Sequence, residues 1–232
     1  MIFDRVKAEY YRAPVDAVPE AIRAAARPRR SSIPPWAAWS TAGLVLVLLV
    51  LNAVLLRASV QPLDAASGVI SAGYLLVSIV LHEAAHVVAL LQFGRSIDRV
   101  GFKLNHRVFP AFYVRMNQSL LLSRGEQVVV HASGALVNLS LNLAVILLNG
   151  VTIQSSALSV ATSVVFIAIG WNVLPILNSD GYRVLLALTA TDAARLLIAN
   201  PPWLIAVKVL GVASTVLVVL RTAFDLTRSL LD

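Results

Sequence analysis

Residues 69–93 read VISAGYLLVSIVLHEAAHVVALLQF, a largely apolar run in which the only acid and the only histidines are Glu83, His82 and His86. A helix needs about 20 such residues to cross a bilayer. The stretch is therefore read as a membrane-crossing helix that carries three ionisable groups within five positions. Each such group at mid-membrane costs roughly 3 kcal/mol or more, so groups of this kind mark function rather than decoration. Working outward, four more apolar stretches reach spanning length, at about residues 36–56, 128–148, 158–174 and 203–224. The composition agrees: of 232 residues, 58% are hydrophobic and 13% charged, too few charges to cover a soluble surface of this size. The fold expected is an all-α polytopic membrane protein with about five transmembrane helices.

Charge sets the expected orientation. Seven of the nineteen basic residues precede Pro35, and Arg95, Arg99, Lys103, Arg107, Arg115 and Arg124 share the segment after the second span. Basic residues confined to membrane flanks follow the positive-inside rule and are not a nucleic-acid footprint. Residues 1–35 hold five prolines and no apolar run, which reads as a cytosolic basic tail and not as a signal peptide. Ile2, Phe3, Val6 and Tyr10 fit one face of a short interfacial helix, with a disordered tail as the other reading. A cytosolic N-terminus places residues 94–125 and Asp180 on the cytosolic side and the uncharged 150–156 loop outside. Arginine in preference to lysine fits a GC-rich bacterial genome, and the location expected is a bacterial cell membrane. With no cysteine, a thiolate metal site is excluded.

His82-Glu83-Ala84-Ala85-His86 puts two imidazoles on one helical face, spaced to share an ion, with Glu83 about 100° round the helix. The chemistry expected is one zinc per chain, with Glu83 as the base that takes a proton from water. Zinc at a catalytic site ordinarily takes three protein ligands. The acids in or beside the later spans are Glu126 and Asp180, and Asp180 is favoured. Pro175 ends or kinks the fourth helix, and Gly181 is expected to supply a turn that aims Asp180 back at the second span. After residue 126 the chain has no Glu, which counts against a prenyl-protein-processing protease with a Glu as third ligand. A metal-binding transporter would be expected to show repeat symmetry, and none is visible. A non-proteolytic receptor relative would be expected to have lost the Glu that Glu83 supplies.

Residues 99–104 and 108–114 alternate apolar and polar side chains around Asn105-His106-Arg107, which predicts a β-hairpin over 99–114 with Pro110 on an edge. His106 falls in its turn and is read as solvated. His131 lies seven residues before Asn138 and is read as a hydrogen-bonded interhelical histidine outside the chemistry, with pH sensing, substrate contact or donation to Asp180 as the other readings.

Asn172-x-x-Pro175-x-x-x-x-Asp180-Gly181, together with the membrane HExxH and Gly134-Ala135-Leu136-Val137-Asn138, resembles the site-2 protease family of intramembrane zinc metalloproteases. The resemblance covers about residues 69–182, and Ser179 and Ala135 depart from the family's usual Leu and Pro. It implies a three-helix catalytic core within residues 57–182; hydropathy and charge place the first span at 36–56 before it and an interfacial helix and a last span in residues 183–232 after it. It also implies Asp180 as third zinc ligand and a membrane-re-entrant hairpin. Asn138 and Asn172 are read as oxyanion or substrate-binding residues, with polar contacts between helices as the other reading. The substrate class implied is a membrane-spanning protein or a small hydrophobic peptide. A homo-oligomer is compatible with the sequence.

Overall fold

The computed structural model describes residues 2–4, 9–11, 32–56, 65–105, 109–175, 179–191 and 200–214. Four helices are long and apolar enough to cross a membrane: α1 (Pro35–Leu56), α2 (Ala65–Gln92), α3 (Arg124–Leu148) and α4 (Ser156–Val173). A short α5 (Asp180–Leu188) follows, then α6, an apolar helix at Pro202–Ser214. This is the helical scaffold expected of a multi-pass membrane protein. The fifth expected span is described only as far as residue 214.

Chain breaks explain where the helices stop. Gly94, in the left-handed region at φ 67°, ends α2, with its N–H and that of Arg95 returning to the carbonyls of Leu91 and Leu90. Pro175 ends α4: Leu174, the residue before it, is driven out of the helical region to ψ 138°. At the start of α3, Ser123 and Glu126 form a reciprocal capping box, and Ser32 Oγ donates to Glu126 Oε1 at 2.7 Å. Glu126, fully buried, is thus committed to tying the segment before α1 to the start of α3.

Helix α3 is the hub, packing against α1, α2, α4 and α5, while α2 also lies along α4. The central core is Val45, Ala132, Ala135, Leu139, Val165 and Ile169. Large apolar residues such as Leu44, Val50, Leu76, Val80 and Ile167 point outward, the reverse of a soluble bundle. Lipid offers helices no hydrophobic reason to associate, so small residues and hydrogen bonds hold them together. Asn142 supplies the main knot. Its Nδ2 donates to Asn52 Oδ1 (3.0 Å) and to the Thr162 carbonyl (3.2 Å), and its Oδ1 accepts from Tyr74 Oη (3.1 Å). One side chain thereby links all four long helices.

The N-terminus departs from the helical reading. β1 (Ile2–Asp4) pairs antiparallel with β2 (Glu9–Tyr11), Phe3 opposite Tyr10. Aromatic and β-branched residues at Ile2-Phe3 and Tyr10-Tyr11 favour extended pairing over a short helix. Val6 lies outside the described residues.

Strands β3 (Arg99–Asn105) and β4 (Phe109–Arg115) pair antiparallel, Arg99 opposite Arg115 and Leu104 opposite Pro110. The expected hairpin is present, within one residue of its expected strand ends. A two-stranded sheet has only edge strands, which is why Pro110 is tolerated. Strand β4 runs beside α2. The base of the hairpin is latched where Asn117 N–H donates to Asp98 Oδ2 at 2.7 Å and Gln118 Nε2 donates to Ser96 Oγ at 2.7 Å. His106 lies outside the described residues.

Candidate metal centre

His82 and His86 project from α2 toward α3, one turn apart, with their rings edge to face at 4.7 Å between centroids. Asp180 reaches them from the first turn of α5. His82 Nε2 is 2.9 Å from Asp180 Oδ2, His86 Nε2 is 3.1 Å from the same oxygen, and the two Nε2 atoms are 3.1 Å apart. Both imidazoles are buried, at 6% and 2% exposure. Among the described residues, no other group of three or more His, Cys, Asp or Glu side chains converges in this way.

The donor chemistry tests whether a metal fits. His86 Nδ1 is 2.6 Å from the Val130 carbonyl, and a carbonyl only accepts, so Nδ1 carries the proton and Nε2 presents a lone pair. That lone pair faces a carboxylate oxygen and a second imidazole nitrogen at hydrogen-bond distance. Ligands about 2.0–2.2 Å from a tetrahedral zinc lie about 3.3–3.6 Å from one another, a few tenths of an ångström wider than this triangle. An ion at its centre would be bound by two buried imidazoles and one carboxylate, a donor set zinc accepts, and the histidine–carbonyl bond is the outer support such ligands use. The residues fit zinc.

Local sequence explains the aim of each group. Ser179 caps α5: its Oγ accepts from Tyr182 N–H at 3.0 Å and donates to the Leu174 carbonyl at 2.6 Å. Ser179, which stands where the resembled motif usually has Leu, is therefore the residue that begins the Asp180 helix. Gly181 was expected from the sequence to supply a turn; it sits instead inside the first turn of α5. A Cβ there would strike the backbone carbonyl of Val173, so glycine is required for α5 to close against the end of α4.

Gly134 is the third support. A Cβ on it would lie 2.6 Å from His82 Cε1 and 2.7 Å from both His82 Nδ1 and His86 Nε2. Only a residue without a side chain lets α3 pass this close. Its contact with both ligands is not legible in the sequence, although it lies inside a matched motif. Nor is the Val130 carbonyl, since a backbone acceptor leaves no mark there.

The remaining expected residues separate. Glu83, adjacent to His82, is half-buried. Asn138 is buried beside His82, with Nδ2 3.4 Å from His82 Nδ1. Asn172 is exposed and lines, with Asp180, Pro175 and His131, a largely apolar cavity of about 190 Å³ between α1, α3 and α5. His131 is buried, but its Nδ1 has no hydrogen-bond partner among the described residues, contrary to the bonded role expected for it. The alternative third ligand, Glu126, is held in its capping box.

No family model matches the chain, and no solved structure matches it. Over 143 residues, 62% of its length, the chain is 41% identical to a Bacillus subtilis (strain 168) protein whose name is "Putative peptide zinc metalloprotease protein YydH". The match spans 57% of that protein, so the chain is similar over just over half the length of a relative named as a zinc metalloprotease.

Proposed function

We propose that the chain is an intramembrane zinc metalloprotease of the site-2 protease type. One observation carries the proposal: two buried imidazoles of a membrane-length helix, His82 and His86, converge with the half-buried Asp180 of α5 into a triangle of lone-pair donors, and Glu83 stands next to His82. The relative's name supports the same chemistry.

Zinc held by His82, His86 and Asp180, one per chain, would lower the pKa of a water to about 7 and polarise a carbonyl. Glu83 takes the proton released from that water, holds it, and passes it to the departing amine. Val130, through His86, keeps the imidazole in the tautomer that leaves Nε2 free. Asn172, at the cavity rim, is placed to hold the substrate backbone, and the apolar cavity beside Asp180 takes a substrate side chain. The β3–β4 hairpin dips toward the membrane and offers an edge on which an extended substrate pairs as a strand, because a helical substrate hides its peptide bonds. Basic flanks put the N-terminus and the metal on the cytosolic side of a bacterial cell membrane. The substrate is a membrane-spanning protein or a small hydrophobic peptide, and the word "peptide" in the relative's name favours the second.

The test uses purified full-length chain in detergent, assayed on a library of hydrophobic peptides. Glu83→Gln should lower turnover by roughly 10²–10⁴-fold while one zinc per chain is retained, because the amide keeps the shape but cannot accept a proton. Turnover near that of the unaltered chain would place the base elsewhere. Asp180→Ala should lose the zinc; full retention would remove Asp180 from the ligand set.

A further inference from the structure

Asn138 sits where the sequence reading expects a substrate-binding amide, yet its neighbour is a metal ligand. Its side chain is buried, at 5% exposure, one amide end lies 3.4 Å from His82 Nδ1, and the other, Oδ1, has no partner among the described residues. The corresponding nitrogen of His86 is settled by the Val130 carbonyl at 2.6 Å. Among the described residues, no carbonyl takes that role for His82.

We propose that Asn138 is the positioning residue for His82: its amide oxygen accepts the Nδ1 proton and so leaves Nε2 as a lone pair for the metal. The chemistry is the counterpart of the His86–Val130 bond. A histidine that ligates through Nε2 must carry its proton on Nδ1, and a buried N–H of this kind needs an acceptor. Among the described residues, Asn138 is the one hydrogen-bonding neighbour of His82 Nδ1. The two ends of an amide have nearly the same shape, so a half-turn brings Oδ1 to His82. Turning forfeits no hydrogen bond of Oδ1, which makes none, and converts a long contact between two nitrogens into a bond between N–H and oxygen. Gly134, on the preceding turn of α3, leaves the space in which the amide and the ring meet. The two ligands of α2 are then both oriented from α3, one by main chain and one by side chain.

This inference rests on the zinc reading of the site. The experiment separates the two. Zinc affinity of the purified holoprotein is measured by competition with a chromogenic chelator, for the unaltered chain, Asn138→Leu and Asn138→Asp. Asn138→Leu removes the acceptor at similar volume and should weaken zinc by 10–100-fold, the usual effect of losing an outer support of a ligand. Asn138→Asp can only accept, so it should hold zinc as tightly as the unaltered chain or more tightly. Zinc affinity unchanged in Asn138→Leu, with only turnover reduced, would overturn the proposal and return Asn138 to the substrate. A loss beyond tenfold in Asn138→Asp would overturn it as well, and that measurement decides the matter even where Asn138→Leu fails to fold. An unaltered chain that binds no zinc would instead refute the zinc reading itself.

Discussion

At Gly134 two helices come together with no side chain between them, and the space a methyl group would fill is already taken by His82 and His86. His86 is tied to the Val130 carbonyl, and with the proposed metal and Asn138 bond in place neither imidazole is free to swing aside. Gly134→Ala should therefore displace the ligand set by a fraction of an ångström to an ångström, and misplacement of that order lowers catalysis by about 100-fold. The measurement is zinc content beside peptide turnover in a variant whose helical circular dichroism is unchanged; normal zinc and normal turnover would show that the site yields. The residues that carry chemistry were legible because they are chemically out of place. His82, Glu83, His86 and Asp180 are types that an apolar chain does not tolerate idly. The residues that make room for them were not, because a glycine or a carbonyl looks the same wherever it stands.

Among the elements, α5 shows how local sequence aims a ligand. Pro175 stops α4, Ser179 caps the next helix, and Gly181 permits the close approach to Val173, so Asp180 emerges from a rigid first turn. Ser179→Leu removes a cap and leaves Tyr182 N–H without its side-chain acceptor. Stability should fall by about 1 kcal/mol, read as a lower midpoint of unfolding in detergent, with weaker zinc binding as α5 loosens. An unchanged midpoint would mean that Pro175 and Gly181 suffice. The hairpin was legible from its period-two alternation, and the observed ends, Asn105 and Phe109, lie within a residue of those expected. The N-terminal pairing was not, because three-residue strands are too short for a period to register.

For the whole molecule, the network around Asn142 replaces the hydrophobic core of a soluble protein. Asn142→Leu leaves Asn52, Tyr74 and the Thr162 carbonyl each short of a bond. Interhelical hydrogen bonds in membranes average about 0.6 kcal/mol and reach about 1.7, so losing three should destabilise the bundle by about 2 kcal/mol. The readout is unfolding in mixed detergent. A loss below about 0.5 kcal/mol would show that packing by Ala132, Ala135 and Leu139 carries the association.

What the sequence determined by itself was the apolar character of the chain, its membrane-length helices and the pairing of His82 with His86 on one helical face. Each of these depends on composition and spacing along the chain: about twenty apolar residues cross a bilayer, and histidines four apart share a face. What only the tertiary structure decided was how α2, α3 and α5 meet. Glu126 and Asp180 were both candidates for a third ligand, and Asn138 and Asn172 were alike as amides. Three-dimensional proximity sorted them, sending Glu126 to a capping box, Asp180 to the histidines, Asn138 to His82 and Asn172 to an exposed rim. Distances between residues 44 to 98 positions apart are set by helix packing, and no local pattern in the chain encodes them.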